Sequence, residues 1–242
     1  MPNPKFFYHM GILLLASCSF FAHAQDQIYV TTGTAYSLDS NQVIYREAYT
    51  PLSEQGEVTV DYLTPDGKKF ATKTLWYQGE PYQPAFELQD FRDRETLSAK
   101  FENARLVLRH QDNSGPRQAT IFDHAGMVID AGFDAYIQLH WDKLLKGKSL
   151  SFEFAMPNRL SSVKLAVEKI DPQTSPVYDK DYGSGWVYFK LQPAKKWLSF
   201  FADPIYLAYD PNGKFLMRYY GRSNLDDARG IPQDVRIEYE YF

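Results

Sequence analysis

The sequence predicts an all-β, mainly antiparallel architecture: a strongly curved sheet or β-barrel, with one amphipathic helix at about 133–146 packed on or in it. Three observations carry that expectation. Apolar residues alternate with polar ones at period two through most of the chain, the mark of strands with one buried face. Two turn sequences of hairpin chemistry sit between such runs. One stretch alone switches to helical spacing.

Taken in order, Val58, Val60 and Tyr62 share a face, and Phe70, Thr72, Thr74 and Trp76 share a face of the strand that follows. Leu106 and Leu108 mark another strand. Leu150, Phe152, Phe154 and Met156 mark the next, followed by Ile205, Leu207 and Tyr209, and finally Val235, Ile237, Tyr239 and Tyr241. Each set is expected to face the core while its neighbours stay wet. Thr64-Pro65-Asp66-Gly67-Lys68 and Asp210-Pro211-Asn212-Gly213-Lys214 are the turns. Proline presets φ, Asp or Asn tolerates the bend, and Gly takes positive φ. Hairpin connections give antiparallel pairing rather than βαβ units.

Phe133, Tyr136, Ile137, His140, Trp141, Leu144 and Leu145 form one helical stripe. Asp134 in the first turn and Lys143 and Lys146 in the last complement the helix dipole. Gly132 opens this helix, and Gly147 suits a left-handed cap. A shorter helix is expected over 194–202, ended by Pro204. Residues 111–117, 171–185 and 223–233 read as loops.

The first 24 residues read as a leader. Lys5 precedes an uncharged apolar run from Gly11 to Phe21, which ends at Ala22-His23-Ala24, a small-x-small cleavage pattern before Gln25. The expectation is a signal peptide at 1–24 and a single β-rich domain at 25–242, periplasmic or secreted. Leu15-Ala16-Ser17-Cys18 also fits the box before a lipidated cysteine. On that alternative Cys18 carries acyl chains that anchor the protein to the outer membrane, although Ser19-Phe20-Phe21 is an unusual tether. An uncleaved anchor is a third reading: Phe6 to Ala24 nearly reaches the roughly 20 residues of a span, but carries two histidines. Cys18 is the only cysteine, so a chain cut at Ala24 has no disulfide.

Lys and Arg number 26 against 30 Asp and Glu, a net charge of −4 that grows more negative without Lys5. No basic tail or stripe exists, which argues against a nucleic-acid role. No second apolar run is long enough for a transmembrane helix in the mature chain. Aromatics are abundant: 18 Tyr, 17 Phe and 4 Trp. At about 150–250 Å² each they suffice for a core; they read either as ordinary strand residues or as the lining of a cavity.

Motifs for chemistry are scarce. His110, His124 and His140 lack the close pairing of zinc ligands. Asp179-Lys180-Asp181-Tyr182-Gly183 lacks the terminal Glu of a calcium loop. No Gly-x-Ser-x-Gly occurs, nor Ser-x-x-Lys with partner motifs. Gly183-Ser184-Gly185 is too short to cradle a phosphate. No cofactor and no enzymatic activity are predicted. Glu238 and Glu240, beside Arg236, are the one acid pair a hydrolase reading can use; the favoured reading of them is the solvated face of an amphipathic strand.

The candidate ligand-binding residues are Tyr136, His140 and Trp141 of the helical stripe, with Trp197, Tyr219, Arg222 and Asn224. Trp197 lies in Lys195-Lys196-Trp197-Leu198-Ser199-Phe200-Phe201, where cations beside aromatics suit a membrane surface or a lid, or a short helix covering one end of the barrel. Tyr219-Tyr220-Gly221-Arg222-Ser223-Asn224 places a guanidinium and an amide at a rim, where an anionic headgroup is gripped, or forms a plain turn with an Arg ion pair. An outer-membrane barrel fits poorly. Phe242 shares its face with Arg236, Glu238 and Glu240, so a lipid-facing Phe242 puts those charges toward lipid.

Gly33-Thr34-Ala35-Tyr36 with Val43-Ile44-Tyr45-Arg46-Glu47, Ala131-Gly132-Phe133-Asp134-Ala135-Tyr136 and Tyr220-Gly221-Arg222-Ser223-Asn224 resemble stretches of uncharacterised secreted proteins of Gram-negative bacteria. No activity comes with that resemblance. More distantly, the strand order is similar to the periplasmic lipoprotein-carrier half-barrels, which implies only a fold-level expectation of binding. The expected function is therefore a non-enzymatic envelope binder or carrier of a lipid or other apolar or amphiphilic molecule. The alternatives are an assembly factor that binds another envelope protein through a strand edge or the Trp197 segment, and an envelope hydrolase acting through Glu238 and Glu240.

Overall fold

The structure is a computed structural model that describes residues 27–122, 125–180, 185–195 and 203–242. The leader with Cys18, His124, and most of the second expected helix with Trp197 lie outside the described residues.

Among the described residues fourteen strands follow one another: β1 (Thr31–Ser37), β2 (Val43–Tyr49), β3 (Glu57–Leu63), β4 (Lys69–Trp76), β5 (Ala85–Asp90), β6 (Glu95–Glu102), β7 (Arg105–Asp112), β8 (Gly115–Ile121), β9 (Leu150–Met156), β10 (Ser161–Ile170), β11 (Val187–Pro193), β12 (Ile205–Asp210), β13 (Phe215–Asp226) and β14 (Pro232–Tyr241). Between β8 and β9 lie α1 (Gly132–Leu139) and α2 (Trp141–Leu145). All the strands form one antiparallel sheet, ordered β8 back to β1, then β14 back to β9. The first and last strands therefore meet in its middle, with Thr31 opposite Tyr241 and Ser37 opposite Val235. The sheet is curled but not closed, since β8 and β9 end it on either side without pairing to each other. A single 3-10 turn after β9, Pro157–Arg159, leans on β6 and β7 and brings those ends near.

Both predicted turns join strands as expected, β3 to β4 and β12 to β13. Along β14, Val235 and Ile237 are buried and Tyr239 packs against both cores, while Arg236, Glu238 and Glu240 lie on the other face. In β4 the expected face is wrong: apart from Phe70, the buried residues are Ala71, Lys73 and Leu75. Lys73 made that face read as polar. It is buried because an ion-pair partner waits inside. The expected single helix is broken at His140, whose N–H is shared between the carbonyls of Tyr136 (3.1 Å) and Ile137 (3.2 Å). The break lets Tyr136 meet Phe152 while Trp141 turns onto Phe189 and Tyr209. Two expected loops shrink, because residues 111–112 and 115–117 belong to the β7–β8 hairpin and 223–226 extend β13.

The interior is divided by the chain leading into α1. Val128 adds to β9 as a parallel bridge opposite Phe154, its N–H donating to Glu153 O (2.7 Å) and its carbonyl accepting from Ala155 N–H (3.0 Å). Ile129 N–H donates to Tyr82 O at 3.0 Å. Met127 and Ile129 join a core walled mainly by β1–β7, whereas Val128 joins a second core of α1, α2 and β9–β13. An extended segment points successive side chains oppositely, so one short stretch fills two cores.

Gly132, where this segment becomes helix, lies so close to the β4–β5 connection that a Cβ there would be 2.2 Å from Tyr82 O. Gly132→Ala is expected to cost about 1–3 kcal/mol through forced backbone movement. Gly79→Ala, where a Cβ meets nothing within 4 Å, is the control. Urea unfolding of both variants measures the difference.

Candidate functional site

Beside the Val128 bridge, the β9 edge carries a cleft of about 470 Å³, lined by Tyr82, Tyr136, Leu139, His140 and Phe152 together with Ser151, Glu153 and Lys164. α1 supplies Tyr136 and Leu139, and His140 at its C-terminal cap follows on the same face, because residues three and four apart share a helix face. The Tyr136 ring stands edge-on to His140 (4.6 Å) and Tyr82 (6.1 Å) and lies tilted on Phe152 (4.6 Å). Leu139 is 63% exposed. Glu153 and Lys164 are opposite each other in the β9–β10 ladder. Desolvation, and then the Lys143 charge, push the His140 imidazole below its usual range. α1 is held from beneath by Asp134, which accepts from Tyr209 Oη (2.8 Å) and Gln138 Nε2 (2.9 Å).

A second polar assembly lies inside the first core. Lys73 Nζ is 2.8 Å from Asp130 Oδ2. Asn224 Nδ2 donates to Asp130 Oδ1 at 2.7 Å. Glu47 is buried and its Oε2 accepts from Tyr49 Oη (2.5 Å) and Tyr239 Oη (3.3 Å). Tyr239 reaches it by crossing Gly33, where a Cβ would come within 2.8 Å of the ring. Desolvation pushes the Glu47 carboxyl up, against the opposing pull of Lys73.

The sequence-predicted residues do not form one site. Tyr136 and His140 line the cleft. Trp141 is core. Tyr219 packs on Phe133 and donates to Arg222 O at 2.6 Å. Arg222 is exposed and paired with Asp234 at 2.7 Å, while Asn224 turns its amide inward to Asp130. Glu238 is tied to Arg218 (3.5 Å) and Arg236 (3.4 Å). His110 bonds Glu95 at 2.7 Å and Arg117 at 3.0 Å. Among the described residues no group of three His, Cys, Asp or Glu is placed to hold a metal, and no helix is long and apolar enough to cross a membrane.

Sequence reading missed Lys73, Asp130 and Glu47. A signal existed: Lys73 lies in phase between Ala71 and Leu75, and Glu47 between Tyr45 and Tyr49. A charge at the centre of an inward-facing triplet marks a buried, partnered ion.

No protein-family model matches the chain, and no curated protein matches it. Among solved structures it is similar to a β-barrel-like protein of Brucella abortus, from the domain of unknown function DUF1849. That similarity has a TM-score of 0.49 and 9% identity, and spans 88% of this chain and 98% of that one.

Burial raises the Asp134 carboxyl from 3.8 to about 6. Between those values the folded chain keeps a proton that the unfolded chain has released, so this group's contribution to stability falls as pH rises through that window. The loss is roughly 1–3 kcal/mol. Urea midpoints of wild type and Asp134→Asn, compared from pH 4 to 7, should converge at the acid end and separate toward neutrality in favour of the variant.

Proposed function

We propose that this chain is a non-enzymatic, exported envelope protein that binds a small amphiphilic molecule in the cleft between α1 and β9. The observation that carries the reading is the mixed lining of the cleft, in which the apolar Tyr82, Tyr136, Leu139 and Phe152 are joined by the charged Glu153 and Lys164. Its size falls in the range of small-ligand sites, about 300–1,000 Å³. Two packed cores occupy the concave side of the sheet, so the guest belongs at the edge rather than in a central chamber. A 63%-exposed Leu139 beside buried rings is apolar area that a guest's chain would cover.

A second reading, an assembly factor that binds an extended segment of another envelope protein, rests on the same edge. Val128 has already added to β9, and strand addition is a general mode of peptide capture.

The first reading is tested by titrating the protein with a fluorescent fatty acid. Leu139→Asp changes an exposed side chain and should leave the unfolding midpoint nearly unchanged while weakening binding about tenfold, the effect of roughly 1.4 kcal/mol. Equal binding by wild type and Leu139→Asp would rule out this cleft as the seat.

A further inference from the structure

The large apolar side chains that stay exposed are unevenly placed. Every strand runs antiparallel to its neighbours, so the start of β1, the end of β14, the start of β13 and the β2–β3 connection all lie at one end of the sheet. That end carries Ile28 (73% exposed), Leu52 (62%), Phe215, Tyr241 and Phe242 (78%). The opposite end shows Leu38, Phe91 and Ile231, one in each of three separate connections. At the first end the side chains adjoin one another. The rings of Phe215 and Tyr241 are 4.8 Å apart, and Tyr241 Oη donates to Leu216 O at 2.8 Å. Phe242 N–H donates to Val30 O (2.9 Å), and Val30 N–H to Tyr49 O (2.9 Å), which leads into the connection that holds Leu52. The helices bring cations to the same place. Gln138 Nε2 donates to Lys214 O at 3.2 Å, and Lys214 Nζ lies 5.8 Å from the centre of the Trp141 ring. The α1–α2 junction therefore abuts the β12–β13 turn beside Phe215. Lys143, Lys146 and Lys148 follow it, all exposed, with Asp142 the one acid in the stretch 139–148. Among the described residues none of these four lysines has an ion-pair partner.

We propose that this end of the sheet docks the protein on a membrane surface that bears anionic headgroups. Phe215, Tyr241 and Phe242 enter the interfacial layer, and Lys143, Lys146 and Lys148 reach lipid phosphates. Exposed apolar side chains gathered in one place mark an interaction surface. Protein–protein interfaces are depleted in lysine, whereas an interfacial layer accepts rings at headgroup depth and lets long ammonium stems stretch along it toward negative charge. The charge of the chain as a whole is −4, so attraction to an anionic surface must come from a local excess of cations, and α2 with the residues after it supplies one. Docking does not require the cleft to hold a ligand. Leu139 of the cleft wall is the neighbour of Gln138, which bonds the β12–β13 turn, so a docked chain would carry that cleft close to lipid.

Vesicle co-sedimentation of the full chain, as the producing cells export it, is the test. Every sample carries Cys18→Ser, so that no acyl chain contributes. The parent should bind vesicles of mixed phosphatidylcholine and phosphatidylglycerol, bind phosphatidylcholine alone more weakly, and lose the difference as salt is added. Phe215→Ser combined with Phe242→Ser should weaken binding to both vesicles about tenfold. Lys143→Gln, Lys146→Gln and Lys148→Gln together should weaken binding to the anionic vesicles on the order of a hundredfold, at roughly fivefold per lysine. Phe91→Ser with Ile231→Ser, at the opposite end, should bind as the parent does. All of these side chains are exposed, so urea midpoints should stay in place, and fatty-acid titration of the cleft should be the same in every variant. A parent that binds neither vesicle overturns the proposal, as do Phe215 and lysine variants that bind like the parent, or an equal loss in the opposite-end pair. A dimer in analytical ultracentrifugation that Phe215→Ser with Phe242→Ser dissociates, in a parent that ignores vesicles, assigns the surface to a second copy of the chain and overturns it too.

Discussion

The fold depends on where Asp130 is held. In a curled sheet of fourteen strands that does not close, residues 127–131 run between the two cores, with Met127 and Ile129 in one and Val128 in the other. That segment has only brief ladder pairing of its own. It is fixed by Val128 on β9, Ile129 on Tyr82 O, and both Asp130 oxygens, one against Lys73 and one against Asn224. Asp130 adopts a positive φ of 43°, an uncommon conformation for a residue with a side chain, and its partners hold it there. Loss of the carboxylate would strand a buried ammonium, an error on the order of 3–5 kcal/mol.

This dependence explains which parts of the fold were legible in the sequence. Strands with one inward and one outward face were readable, as in β14, where Val235 and Ile237 are buried and Arg236 and Glu238 lie on the other face. The turns at 64–68 and 210–214 were readable because their backbone geometry restricts the residue types. β4 was misread because Lys73 is buried for an electrostatic reason that involves a residue far along the chain. The break at His140 was invisible for a similar reason: Trp141 continues the helical stripe in sequence but serves a different patch of core, around Phe189 and Tyr209. Tyr136 and His140, candidates taken from that stripe, both line the cleft. The opposite wall, Phe152 and Tyr82, depends on tertiary approach that no local spacing encodes.

The two free sheet edges are managed differently. β8 carries Pro116 and Arg117 with polar neighbours and a mostly exposed pattern, features that discourage further strand pairing. β9 is protected at its far end by the chain's own Val128, while its near end, around Ser151 and Phe152, borders the cleft. The asymmetry leaves β9 the more accessible of the two edges. One edge is made unattractive by composition, and the other is left half-dressed beside apolar rings.

The two polar assemblies are not independent. Tyr82 offers its carbonyl to Ile129 on the segment that Asp130 anchors, and its ring to Tyr136 across the cleft. Gly132 lets α1 start against the same Tyr82 backbone. The position of α1, and with it the spacing between Tyr136, Leu139 and Phe152, is therefore set by how firmly residues 127–131 are fixed inside the sheet. A shift of that segment by a fraction of an ångström would open or close the cleft wall, because packed cores accommodate such shifts by moving whole elements. The buried charges thus act on the surface through backbone geometry. A rigid tether at Asp130 is what makes a cleft on an open sheet edge keep its shape.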